Sequence, residues 1–305
     1  MQANRCPITR HAVAWLCALF AFGSVHAEPA LADCPPTATA PTPERIQAGM
    51  RDARDHGFLW RISKDGRSSF LFGTIHIARL DWVFPGPQVG KALLASDTVA
   101  LELDLLDPQV RARLAAVAGS AAADELPASL KQRLQRLMQS ECIAPEVLAD
   151  LAPEMQVAAL TTLAARRDGL DPAYGIDIFL AGLARGSRKT VVSLETPELQ
   201  AQALRMPDAQ ATRALLESAL DELEAGRARP SLNRIARVWA EADREAMKRL
   251  LDDRNPALAD AIAALHGSGK AVFAAVGSLH MVGPLGLPAL LARRGFGIER
   301  IDFAR

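Results

Sequence analysis

The chain has 305 residues, half of them hydrophobic and 23% charged, with a formal net charge of zero. That is a globular composition, long enough for one large or two modest domains. The balanced charge excludes a general affinity for nucleic acid or acidic lipid, and one tyrosine in the whole chain argues against a stacking surface for sugars or single strands.

The amino end reads as a targeting signal. Arg5 and Arg10 give a positive start, and Ala12 to Phe22 is an apolar run too short for a typical membrane span. Val25-His26-Ala27 places small residues for cleavage after Ala27. Residues 1–27 are therefore expected to be a signal peptide, 28–43 a flexible Pro-, Ala- and Thr-rich lead-in, and 44–305 the folded domain. The product is expected in the periplasm or secreted, with no stable membrane span after cleavage. Cys6 and Cys17 leave with the signal, and the remaining pair, Cys34 and Cys142, favours a disulfide between the amino tail and the helical middle.

Glu44 to Asp55 has the makings of a short helix. Phe58 to Ile62 alternates like a strand, and Lys64-Asp65-Gly66-Arg67 is turn chemistry before an apolar run ending Phe72-Gly73-Thr74-Ile75-His76. The segment from Asp81 to Pro87 is expected to be a loop with aromatics at the surface, a candidate rim for a ligand. Two strands then read Thr-Val, apolar filler, Leu-Glu: one ends at Glu102, with Asp104 beyond it, and the other at Glu195. Between them, helical spacing runs through Leu130, Leu134, Leu137 and Met138 and again from Pro145 to Ala165. Thr196 caps the next helix, and helices continue to about His266, broken near Pro230 and Pro256; the helix bearing Trp239 reads as a packed surface helix. The run Ala271 to Val276 ends in Gly277-Ser278-Leu279-His280, repeating the Gly-x-x-His of the first strand. A closing helix and an alternating edge strand, Gly297 to Phe303, finish the chain. The fold class is α/β (α+β): a mixed central sheet built from both chain ends, with helical insertions covering or capping it.

The order His76, Glu102, Glu195, His280 is mirrored and reads as two related halves facing each other across one site. Each residue lies at the end of a strand, where open α/β sheets bind ligands. The imidazoles are metal ligands, general bases or satisfied core histidines; their matched settings favour a functional role. A carboxylate in a buried strand must be paired, hydrogen-bonded or metal-bound, so Glu102 and Glu195 are favoured for the site. Asp104 shares it or caps the following turn. The four residues make a divalent-cation set in which some ligate and another activates water. Arg254 before the Pro256 helix is a candidate cation for a carboxylate or oxyanion, and Tyr174 and Asp177 have similar standing. His56 and His266 fall in polar turn settings and read as solvated. There is no His-Glu-x-x-His, Gly-x-Ser-x-Gly, Walker loop or dinucleotide fingerprint.

Taken in order, Phe58-Leu59-Trp60, Phe72-Gly73-Thr74-Ile75-His76, Leu101-Glu102-Leu103-Asp104, Tyr174-Gly175-Ile176-Asp177, Ser193-Leu194-Glu195-Thr196, Asp253-Arg254-Asn255 and Ala275 to Gly283 resemble the TraB/PrgY/GumN family, in its exported GumN-like branch. That family is similar to the Tiki proteases and, more remotely, to erythromycin-esterase and ChaN-like haem-binding proteins. The resemblance implies a metal-dependent, peptidase-like hydrolase using manganese, cobalt or zinc on a peptide or secreted protein. It implies a site of His76, Glu102, Glu195 and His280, with Arg254 added, and leaves the division into ligand and base open. The alternatives are a binding protein that sequesters a peptide, haem or polysaccharide fragment in the same pocket, and an accessory of exopolysaccharide export.

Overall fold

A computed structural model describes residues 34–119, 126–206, 208–241 and 255–303. The proposed signal peptide and Arg254 lie outside the described residues. Strands β1 (Phe58–Lys64) and β2 (Arg67–Thr74) form the expected hairpin. Its two turn residues, Asp65 and Gly66, have φ of 52° and 71°. Positive φ at both centres is what a two-residue hairpin turn matching the strand twist requires, and an Asp-Gly pair adopts it readily.

The remaining strands are β3 (Thr98–Leu101), β4 (Thr190–Ser193), β5 (Val272–Gly277) and β6 (Gly297–Ile301). They join the hairpin in one mixed sheet of order β4-β3-β5-β2-β1-β6. Four neighbours, β4, β3, β5 and β2, run parallel, while β1 is antiparallel to both β2 and β6. Both chain ends thus enter one sheet, and β6 stands at its edge, as its alternation predicts. Val272 to Val276 on β5 are buried, with Phe273 wholly enclosed beside Phe72. Burying a side chain of that size stabilises the fold by about 2–3 kcal/mol.

Eleven α-helices complete the described residues: α1 (Pro43–Asp52), α2 (Pro87–Leu94), α3 (Pro108–Ala118), α4 (Ala128–Ser140), α5 (Pro153–Ala164), α6 (Ile176–Gly186), α7 (Pro197–Leu204), α8 (Ala209–Glu224), α9 (Ala228–Glu241), α10 (Asn255–Gly267) and α11 (Leu287–Arg293). Helices α4, α5 and α8 share a hydrophobic cluster apart from the sheet's, built on Leu130, Leu134, Met138, Leu160, Leu216 and Leu220. The helical spacing from Pro145 to Ala165, in which the sequence marks helix starts at Pro145 and again at Pro153, is divided at the second proline. Pro145–Val147 makes only a 3-10 turn, and α5 starts at Pro153 after an extended Ala152. Proline's clash with the preceding residue disfavours helical backbone there. Thr196 caps α7 by accepting the Leu199 N–H.

The Cys34–Cys142 disulfide is present and ties the amino tail to the end of α4 across 108 residues. A cross-link closing a loop of that order is worth about 4–5 kcal/mol in the chain-entropy account. Residues 34–42 have no regular structure, but the Tyr174 hydroxyl accepts from Thr39 N–H and donates to Thr39 C=O, both at 3.1 Å.

Several expectations change. His266 is buried, not solvated, and bonds Ser69 and the Lys64 carbonyl. His56 packs against the rings of Trp82 and Trp239, at centroid distances of 5.7 and 6.0 Å, and those two rings also touch at 5.8 Å. The aromatic loop turns inward: Phe84 is buried against Phe179 and the flank of α1 at Gly49, because two large rings gain more from the core than from water. Asp104 faces Arg185 and accepts the Leu106 N–H, so it makes an ion pair and caps a turn. Trp239 packs inward from α9 as the helix pattern implies, and its indole N–H reaches the Gly73 carbonyl at 2.7 Å.

Candidate functional site

All four expected residues lie within three positions of the carboxyl ends of the parallel strands: His76 after β2, His280 after β5, Glu102 after β3 and Glu195 after β4. Strand order therefore sets them side by side as Glu195, Glu102, His280, His76 along one edge, rather than on two halves facing each other. Pairing continues past the strands, with Leu194 N–H to Leu101 C=O at 2.7 Å and Glu195 N–H to Glu102 C=O at 3.0 Å. This extension carries both glutamates into the site as neighbours.

Gly277 is the point around which three of them meet. Its N–H donates to Glu102 Oε1 at 2.6 Å. A Cβ built on Gly277 would lie 2.9 Å from that oxygen, 3.7 Å from His280 Cδ2 and 3.8 Å from His76 Nε2. A side chain there would displace the carboxylate, so glycine leaves the space in which these groups converge. Gly73, the matching glycine on β2, serves packing instead: a Cβ would press on Ser278 and Met281.

Each ionisable group is held by a specific partner. His280 is 1% exposed, bonds Asn255 Oδ1 through Nδ1 and faces Glu102 Oε1 with Nε2 at 3.7 Å. His76 is largely exposed and bonds Asp177 Oδ1 through Nδ1 at 3.2 Å. An ionised carboxylate only accepts, so here Nδ1 carries the proton and Nε2 points at the Gly277 space. The Gln200 amide of α7 bridges Glu102 Oε2 and Glu195 Oε2, 3.2 Å from each. Buried carboxylates need such donors, and Glu102 and Glu195 are both under 9% exposed.

Sequence reasoning gave no site role to Gln200 or Asn255 and left Asp177 open. Gln200 lies one helical turn beyond the Thr196 cap, which returns its side chain towards Glu195; that spacing was a usable signal. Asn255 opens α10 and Asp177 lies in the first turn of α6, both ordinary helix-start chemistry that conceals their histidine contacts.

Two carboxylates and two imidazoles are suitable donor types for a divalent cation. As placed, no three His, Cys, Asp or Glu side chains among the described residues already form a group that could hold a metal ion. Glu102 Oε1 already takes the Gly277 N–H, and the Gln200 amide stands between the carboxylates. A metal ion bound there would supply a Lewis acid for a carbonyl and a lowered pKa for its water. Without one, the arrangement can activate a water by proton transfer to carboxylate or imidazole.

No curated protein and no solved structure matches the chain. A profile of the TraB/PrgY/gumN family matches residues 58–300, a span that holds the whole sheet but for the last residue of β6 and all four strand-end residues. The chain belongs to the TraB/PrgY/gumN family.

Proposed function

We propose that this chain is an exported, peptidase-like hydrolase whose reaction runs at the Gly277 space. One observation carries the reading: a buried carboxylate, Glu102, and the rings of His76 and His280 meet around a residue that has no side chain, with His76 Nε2 turned to that space and His280 Nε2 facing Glu102. A water placed there has carboxylate and imidazole acceptors within reach, so Glu102 or His280 takes its proton as oxygen attacks a carbonyl. The proton taken by Glu102 or His280 then passes to the leaving amine as the C–N bond breaks, directly or through Nε2 of His76, whose ring Asp177 holds at Nδ1. The Gly277 N–H and the Gln200 amide hold the carboxylates in line. The proposed peptide would lie in an open groove of about 440 Å³ lined by Arg45, Arg79, Leu80, Phe84 and Tyr174, none of them a strand-end residue.

The disulfide supports an oxidising compartment and hence export. Among the described residues no helix is long and apolar enough to cross a membrane. The need for manganese, cobalt or zinc belongs to the same proposal as its open variable. Arg254, read in the sequence as the cation for the tetrahedral intermediate, enters through R254A.

The test is a peptide-library cleavage screen with and without each metal, paired with elemental analysis of wild type, H76A and H280A. Catalytic release lost in H76A, H280A and E195A with near-native melting supports the hydrolase, and bound metal lost with it adds the cation. The competing reading is a binding protein for a peptide, haem or polysaccharide fragment. It is favoured by the Gln200 amide, which bridges the two carboxylates through one oxygen of each. Stoichiometric retention of ligand without product would replace the hydrolase by that reading.

A further inference from the structure

We infer that Asn255 is the positioning residue that fixes the His280 tautomer, so that this ring exchanges protons only at Nε2, the nitrogen facing Glu102. The inference rests on the hydrolase reading for its purpose, but not for its geometry.

The orientation of Asn255 follows from its other partner. Its Nδ2 donates to the Leu285 carbonyl at 2.8 Å. A flipped amide would set oxygen against that carbonyl, two acceptors in contact, so Oδ1 is the atom turned to His280. Oδ1 accepts only, and His280 Nδ1 must donate to it. Both residues are 1% exposed, so water does not compete for the contact. With Nδ1 committed, the ring's variable proton is at Nε2, 3.7 Å from Glu102 Oε1. The opposite tautomer would point an N–H at the carboxylate and leave two unprotonated acceptors, Nδ1 and Oδ1, buried against each other. That arrangement is costly in a dry site.

The bond also links two chain segments. Asn255 opens α10, while Leu285 belongs to the loop between the His280 turn and α11. One amide therefore sets the ring and pins the loop that follows it. Asp177 treats His76 in the same way from α6, though with a carboxylate and at a more open ring.

Long-range proton–nitrogen correlation spectra of the 15N-labelled chain at pH 8 read the tautomer directly, with H280Q used to assign the ring. Wild type is expected to show His280 protonated at Nδ1 and unprotonated at Nε2. N255A is expected to lose that pattern, with turnover falling about 100-fold or more at similar KM, the scale of a misplaced general base. N255D keeps an acceptor for Nδ1 and is expected to retain the pattern while losing the Leu285 bond. Wild-type His280 protonated at Nε2, or at both nitrogens, overturns the inference whether or not N255A folds. An N255A spectrum unchanged from wild type also overturns it. A chain that cleaves no peptide yet shows the expected spectra removes the hydrolase and leaves the role of Asn255 standing.

Discussion

His266 and His280 are both 1% exposed and lie at opposite ends of the central parallel strands. At the amino end, His266 Nε2 donates to the Lys64 carbonyl and Nδ1 accepts from Ser69, whose oxygen in turn takes the Val272 N–H. Phe296 packs edge-on against the ring. Every bond of the ring ends on a neutral group of the fold, joining β1, β2 and β5. At the carboxyl end, His280 is also held through Nδ1, yet its other nitrogen faces a carboxylate. Burial alone thus does not separate the two histidines; what the second nitrogen faces does. In the proposed reaction His266 is a fastening and His280 is placed for proton transfer.

The sharpest way to break this comparison is to exchange the outcomes. H280Q and E102Q are expected to lower peptide turnover by about 100- to 10,000-fold, the contribution of a positioned acid or base, while melting stays within a few degrees of wild type. H266A is expected to leave kcat of the folded protein unchanged but to destabilise it by about 2–4 kcal/mol, through a cavity and two stranded polar partners. Calorimetry with initial-rate kinetics on the same samples checks both. Stable, inactive H266A beside unfolded H280Q would reverse the assignment.

The two histidines also show how far sequence could reach. Their local strings differ: His280 follows an apolar strand and a Gly-x-x spacer, and His266 closes a helix before Gly-Ser-Gly. That local pattern identifies the strand ends, the Asp65-Gly66 hairpin and the four residues that gather at the carboxyl edge of the sheet, since period and turn chemistry are written in neighbouring residues. What it cannot carry is pairing between distant segments. Ser69 meets His266 across 197 residues and Asp177 meets His76 across 101. A polar turn residue therefore looks solvated until the sheet closes over it. The inward turn of Phe84 was hidden for the same reason, since its partner Phe179 is on α6.

A smaller perturbation compares two glycines. G277A would force a Cβ to within 2.9 Å of Glu102 Oε1, so the carboxylate must shift. Turnover is expected to drop about 100-fold, as for a misplaced catalytic group, with little change in stability. Gly66 at the hairpin tip has φ of 71° and open space around it. G66A is expected to lose about 1 kcal/mol from left-handed strain and no activity. Equal activity losses in the two variants would mean that the Gly277 space is not where chemistry occurs.

The smallest expected effect lies outside the site, in an ion pair that supports it indirectly. Asp168 accepts from Arg229 Nε at 3.0 Å and from Asn233 at 2.7 Å, both on α9, the helix whose Trp239 bonds Gly73. The Arg229 hydrogen bond, with help from Asn233, holds the Asp168 carboxyl below its ordinary range despite some desolvation. A carboxyl lowered in the folded state contributes stability that is full above its unfolded pKa, about 3.9, and is lost as pH falls through the lower folded value. Because Asp168 and Arg229 are both partly exposed, screening limits the contribution to under about 1 kcal/mol. D168N is therefore expected to lower the melting temperature by only a few degrees at pH 7 and to narrow its gap from wild type below pH 4. Turnover at neutral pH is expected to change less than about twofold, since an effect this weak reaches Gly73 only through packing. A D168N gap that widened with acid would reverse the sign of the Asp168 shift, and a tenfold loss of turnover would make α9 part of the catalytic edge rather than its support.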